Sequence, residues 1–202
     1  MRGETTRRSA LDPEALIADL RTIALDRLRD ADDLWLILDG SDLRKPHARQ
    51  MEALQRVAPL KGSGLVPGYP TLTLLGLGGD GRRGILDHRL YSAQAGDFVS
   101  VPAITRQMIT TTGEALADWT QPITLIMDRG FDDQAILATA WRQGWQTVWR
   151  VQHRDRRVRA GPDGPIQHLE TLARASLVSI GQLEAWRQGW QTVWRVQHRD
   201  RR

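Results

Sequence analysis

Two short runs, "LWLILD" at residues 34–39 and "ITLIMD" at residues 123–128, constrain this chain more than any other feature. Each is an apolar run of strand length that stops at an aspartate, the pattern of a strand buried on both faces whose end meets solvent. If the two strands are neighbours and parallel, the carboxylates of Asp39 and Asp128 meet at one edge of a sheet. Carboxylates held that close repel each other, and keeping both ionised is costly unless a divalent cation lies between them. Hard oxygen ligands select magnesium or manganese, and paired metals of this kind suit phosphodiester cleavage. The same pattern also fits two turn aspartates at strand ends, Asp39 before Gly40 and Asp128 before Arg129 and Gly130.

The remaining segments supply partners for those strands. "DPEALIADLRTIALDRLRD" predicts an amphipathic helix with Asp12 as N-cap and Pro13 at its first position; Leu16, Leu20 and Ile23 share a stripe with Ile17, Ala24 and Leu28. "TLTLLGLGGDGRRGILDHRLYS" predicts a hairpin around its glycines. Gly76, Gly78 and Gly81 have the spacing of a dinucleotide-binding fingerprint, but the segment after Gly81 reads as strand where that motif needs a helix. "TRQMITTTGEALADW" and "DDQAILATAWRQG" predict helices, the second closed by Gly144, and "WQTVWRVQ" alternates as a strand does. After "VRAGPDGP", a loop or boundary, "IQHLETLARASLV" fits a short helix. Trp141, Trp145 and Trp149 straddle a helix end and a strand and are expected to pack in the core.

Composition removes several kinds of chemistry. Cysteine is absent, which excludes disulfides, thiolate zinc sites and cysteine nucleophiles and fits a reducing compartment. The five histidines include no i, i+4 pair for a shared metal. "HRD" at residues 153–155 lacks the downstream asparagine of a kinase loop, because the chain has no asparagine. No apolar run is long enough to span a bilayer, so a cytoplasmic, membrane-free protein is expected. Of 28 basic residues only Lys45 and Lys61 are lysines; an arginine-rich surface suits phosphate but is also a common solvated surface.

"LILDGSDLRKP" and "LIMDRGFDD" resemble the first and second acid motifs of bacterial DDE transposases of the insertion sequence four type. The similarity continues through "MEALQRVAPLKG", "LVPGYPTLTLLGLG" and "RRGILDHRLYS", over residues 34–157. The resemblance implies an α/β fold: a ribonuclease H-like mixed sheet flanked by helices, its first three strands a meander, with the first acid on strand one and the second on strand four. It makes Asp39 and Asp128 catalytic metal ligands for a two-metal magnesium or manganese site. It makes DNA, both transposon ends and target, the partner, acting at the bacterial nucleoid. Asp42, Arg44 and Lys45 beside the first acid, and Arg129 beside the second, become candidates for DNA contact, with surface solvation an equal reading. The implied organisation is an N-terminal helical segment over 1–33, an incomplete catalytic core over 34–157 and a truncated insertion region over 158–202.

The family's third acid is a glutamate in a series of Tyr, Arg, Glu and Lys far downstream, and no such series is present. Beyond Asp128 the glutamates are Glu170 and Glu184, with Ile166 and Ile180 four residues before them and Leu177 and Gln191 seven after. The expected function is that of a transposase fragment inactive alone, or else of a non-catalytic fragment that binds DNA or inhibits a full-length transposase. Self-association is a further possible partnership.

"AWRQGWQTVWRVQHRDRR" occurs at residues 140–157 and again, unchanged, at 185–202. Repeat architectures preserve a pattern rather than every exposed side chain, so this identity points to a duplication or faulty join in the DNA. The first copy completes the fold. The second "WQTVWRVQ" is therefore expected outside the main sheet, at an edge, or poorly ordered.

Overall fold

The computed structural model describes residues 12–152, 155–159, 164–171, 182–187 and 190–195. Helix α1 (Pro13–Leu28) starts where Asp12 caps it, the aspartate Oδ1 accepting the Glu14 backbone N–H at 3.0 Å. Strands β1 (Leu34–Arg44), β2 (Gln55–Val57), β3 (Val66–Gly78) and β4 (Arg83–Leu90) follow. Then come α2 (Val101–Ala115), β5 (Ile123–Met127), α3 (Gln134–Arg142) and β6 (Gln146–Trp149).

β1 pairs antiparallel with β3 along the whole length of β1, from Leu34 opposite Gly78 to Arg44 opposite Gly68. The outer edge of β3 is shared: its first residues pair with β2 and the rest with β4. On the other side of β1 lies β5, parallel to it, and then β6, parallel to β5. The order β4-β3-β1-β5-β6, with a meander on one side and parallel strands on the other, is the ribonuclease H-like arrangement. The short β2 adds one strand within the meander, so the second acid follows the fifth strand rather than the fourth.

The strand periodicity differs from the expectation of two buried faces. Leu34, Leu36 and Leu38 are buried, as are Leu72, Leu74, Ile123, Leu125 and Met127, and all meet helix residues such as Leu28, Met108, Ile109, Ile136 and Leu137 in one core. The alternate residues form the opposite face, where Trp35 is 41% and Ile85 39% exposed. Ile37, Leu75, Leu77 and Ile126 on that face are half-buried. The helices therefore cover one side of the sheet, and among the described residues no helix covers the other.

Helix α1 also packs on a narrower stripe than its sequence suggested. Ile17, Ala24 and Leu28 are buried, whereas Leu16 and Ile23 are half exposed. The reason is Arg21, which occupies the centre of the buried stripe: its Nε donates to the Leu86 carbonyl at 2.8 Å and its Nη2 reaches Asp87 at 3.3 Å. Gly84 makes this approach possible, since a Cβ there would fall 2.5 Å from the Ala24 Cβ.

The remaining expectations divide. The hairpin turn forms between β3 and β4, with Gly81 at φ 84° and no helix after it. α2 begins four residues earlier than expected, at a Ser100 cap that accepts the Ala103 N–H. α3 is capped by Asp133 and ends before Gly144 at φ 77°, after which β6 begins. Trp145 and Trp149 are buried, and half-buried Trp141 donates from Nε1 to Thr147 Oγ1 at 3.0 Å. The segment expected to be helical at "IQH" is instead β8 (Ile166–His168), paired antiparallel with β7 (Arg157–Arg159), and the chain turns helical only at Leu169. Residues 172–178 of that expectation lie outside the described residues.

The second copy contributes to β9 (Gln182–Arg187) and supplies β10 (Trp190–Arg195), an antiparallel pair separate from the main sheet, as expected for a segment whose slot is filled. Residues 196–202 lie outside the described residues. No described helix is long and apolar enough to cross a membrane.

Candidate active site

The parallel register of β1 and β5 decides where the acids stand. Leu38 pairs with Met127, so the next residues, Asp39 and Asp128, occupy the same level of adjacent strands, whose spacing is about 4.8 Å. Both are exposed. Both alternate away from the buried leucines and therefore share the open face of the sheet.

Each acid is held differently. Asp39 stays within β1, opposite Thr73 on β3, and has no hydrogen-bond or ion-pair partner among the described residues. Asp128 leaves β5 and caps a 3-10 turn over Arg129–Phe131, its Oδ1 accepting the Gly130 N–H at 2.7 Å. That bond fixes the carboxylate and leaves Oδ2 for another ligand. Two exposed carboxylates, one free and one half engaged, are a donor set that fits a hard divalent cation. Among the described residues no group of three histidines or carboxylates stands ready for a metal.

The other expected contacts scatter by strand alternation. Asp42 and Arg44 lie an odd number of residues from Asp39 and point to the opposite face. Arg44 is also committed within the protein: its Nε donates to the Ala58 carbonyl at 2.7 Å, and its Nη2 lies 3.6 Å from Asp42 Oδ2. Lys45 follows the end of β1, six residues from Asp39, with its backbone N–H bound to the Pro67 carbonyl at 2.8 Å. Arg129 is exposed directly after Asp128 and stays with the acids.

Two further carboxylates have roles that the sequence did not disclose. Asp132, in the same "DRGFDD" motif as Asp128, has a buried side chain. It accepts the Trp149 Nε1–H at 3.1 Å and the Gln152 N–H at 2.7 Å and pairs with Arg156 at 2.7 Å. It ties the loop after β5 to the chain after β6. Asp87 is wholly buried beneath α1 between Arg21 and Arg89, whose Nε lies 2.8 Å from it. Burial works to lower the Arg89 pKa, but the hydrogen bond and charge of Asp87, with Glu14 beyond, outweigh it and leave the guanidinium above its ordinary value.

A cleft of about 540 Å³ lies toward the far end of β1, lined by Tyr69, Tyr91 and Phe98, the last two stacked with centroids 6.0 Å apart. Burial, and then the charge of Asp42, raise the Tyr91 phenol above its usual range. The acid pair lies outside this cleft.

No protein-family model and no curated protein matches the sequence. Among solved structures, the chain is similar to the Mos1 strand transfer complex at 13% identity, over 73% of this chain and 45% of that one, with a TM-score of 0.33. It is also similar to the Mos1 mariner paired end complex with Mn at 13% identity, over 72% and 47%, with a TM-score of 0.34. The chain thus spans less than half the length of the solved proteins it resembles.

Proposed function

We propose that this chain is part of a DDE transposase of the insertion sequence four type, built for divalent-metal-dependent cleavage and transfer of DNA strands. The observation that carries this reading is the side-by-side placement of Asp39 and Asp128, each one residue beyond the Leu38–Met127 pair of the two central strands of a ribonuclease H-like sheet. Asp39, free of partners among the described residues, and the unengaged Oδ2 of Asp128 would hold magnesium or manganese. The ion supplies a Lewis acid that polarises the phosphate and makes water or a 3′ hydroxyl a better nucleophile. The protein's own part is positional. β1 and β5 fix the spacing of the carboxylates, the Gly130 N–H fixes the rotation of one of them, and Arg129 offers a planar donor pair to a neighbouring phosphate. The DNA partner comprises transposon ends and target, at the nucleoid of a bacterial cytoplasm.

A second reading draws on the absence of a third histidine or carboxylate from the acid pair among the described residues. Two ligands hold a divalent ion loosely and leave its geometry under-determined. On that reading the chain binds DNA, or pairs with a complete transposase or a second copy of itself, and cleaves poorly alone. Nicking of a labelled duplex in manganese separates the two. Slow nicking lost in both Asp39→Asn and Asp128→Asn supports the first reading; binding without nicking supports the second. Failure to retain DNA at low salt overturns both.

A further inference from the structure

We propose that His88, held by Thr73, is a DNA-phosphate-binding residue at the β4 end of the row begun by the acids, an inference that rests on DNA being the ligand. Directly opposed residues of an antiparallel pair share a face of the sheet. Asp39 opposes Thr73 and Thr73 opposes His88, so the level that carries Asp128 and Asp39 continues across β3 into β4 on the same open face.

A β-bulge puts the histidine there. Leu75 opposes Ile85 and Leu74 opposes Asp87, so β4 contains one residue more than β3 at this point. Without the extra residue, Asp87 would oppose Thr73 and add a third negative charge to the open face, and His88 would turn toward α1. With it, Leu86 and Asp87 are both buried on the helix side, where Arg21 and Arg89 neutralise the carboxylate. A bulge re-aims a side chain in this way at a local cost to the ladder.

The histidine is also oriented. Its Nδ1 lies 2.9 Å from Thr73 Oγ1. When the threonine hydroxyl donates in that bond, the ring proton resides on Nε2, which has no partner among the described residues and is free to donate to a phosphate oxygen. Two strand spacings, about 10 Å, separate β4 from β1. At about 3.4 Å of axial rise per base pair, a duplex whose axis runs across the sheet advances on the order of three base pairs over that distance. A strand whose scissile phosphate lies at Asp39 and Asp128 would therefore run across the sheet to His88.

The test uses the full chain and a fluorescent DNA duplex, with affinity read by anisotropy and folding by thermal melting. His88→Asn keeps a polar partner for Thr73 and loses the distal nitrogen; His88→Gln places an amide nitrogen near the position of Nε2. The expected result is about tenfold weaker binding for His88→Asn, within the range for one hydrogen bond to a charged group, and near-normal binding for His88→Gln, with unchanged melting for both. Wild-type affinity in His88→Asn overturns the inference. So does equal weakening in both variants with lowered melting temperatures, which would mark His88 as structural. A wild-type chain that binds no DNA at low salt instead overturns the proposed function, and this inference with it.

Discussion

Asp39 and Asp128 stand at one level of two parallel strands, each one residue beyond the Leu38–Met127 pair. Their mutual repulsion sets the sign of two measurements. In the absence of metal, removing one charge relieves the repulsion, so Asp39→Asn should be as stable as the parent or up to about 1 kcal/mol more stable. Manganese reverses the order. At about tenfold above its Kd, an ion bound only by the folded state adds about 1.4 kcal/mol, and the melting temperature of the parent should rise by roughly 3–6 °C. Neither Asp39→Asn nor Asp128→Asn should show that rise. Asp128→Asn is the cleaner variant, because its amide oxygen can still accept the Gly130 N–H. An unchanged manganese shift in both variants would place the metal elsewhere.

Asp87 is predicted to be the most sensitive buried charge. It accepts from Arg21 and Arg89 with its side chain fully shielded, so Asp87→Ala leaves two guanidiniums facing each other beneath α1. Removing one partner from a buried ion pair costs about 3–5 kcal/mol. Urea unfolding should show a loss of that size with an unchanged m-value. A loss below about 1 kcal/mol would mean that water reaches the cluster.

The strands and the acid pair were legible because each apolar run is followed at once by an aspartate, although β1 continues past Asp39 to Arg44 and only Asp128 stands at a strand end. Their pairing was not in the sequence; it arises from the parallel register of β1 against β5. The single-sided core was missed because "LWLIL" is apolar at every position, and apolarity does not tell a covered face from an open one. His88 was missed as a site residue because the bulge that turns it depends on how β4 meets β3. The duplicated segment shows the limit of local sequence most directly. Ala140–Trp141–Arg142 ends a helix, whereas the identical Ala185–Trp186–Arg187 lies in a strand opposite Thr192, Gln191 and Trp190. Identical local propensities gave way to different tertiary partners.

The uncovered face gives paired expectations for adjacent residues. Leu36 is fully buried beneath the helices, and Leu36→Ala should cost about 2–5 kcal/mol through lost contacts and an unfilled cavity. Trp35, its neighbour in the strand, is 41% exposed on the open face, and Trp35→Ser should cost under about 1 kcal/mol despite the larger side chain removed. Equal losses for the two in chemical denaturation would show that the open face is covered in solution.

The last prediction concerns the contact that seats α1 on the sheet. At Gly84 a Cβ would fall 2.5 Å from the Ala24 Cβ and 2.7 Å from its Cα, and the nearer backbone belongs to a helix that cannot give way locally. Gly84→Ala should therefore push α1 outward, with an overpacking cost of about 1–3 kcal/mol. Because Arg21 reaches Asp87 and the Leu86 carbonyl from the same helix, the displacement should also weaken those bonds and make the loss depend on the Arg21 pair. A double-mutant cycle of Gly84→Ala with Arg21→Met measures that dependence, with an expected coupling of about 0.5 kcal/mol or more. Combining Gly84→Ala with Ala24→Gly removes the opposing methyl and should recover part of the stability. Additive losses in the first cycle would show that the helix accommodates the methyl without moving its arginine.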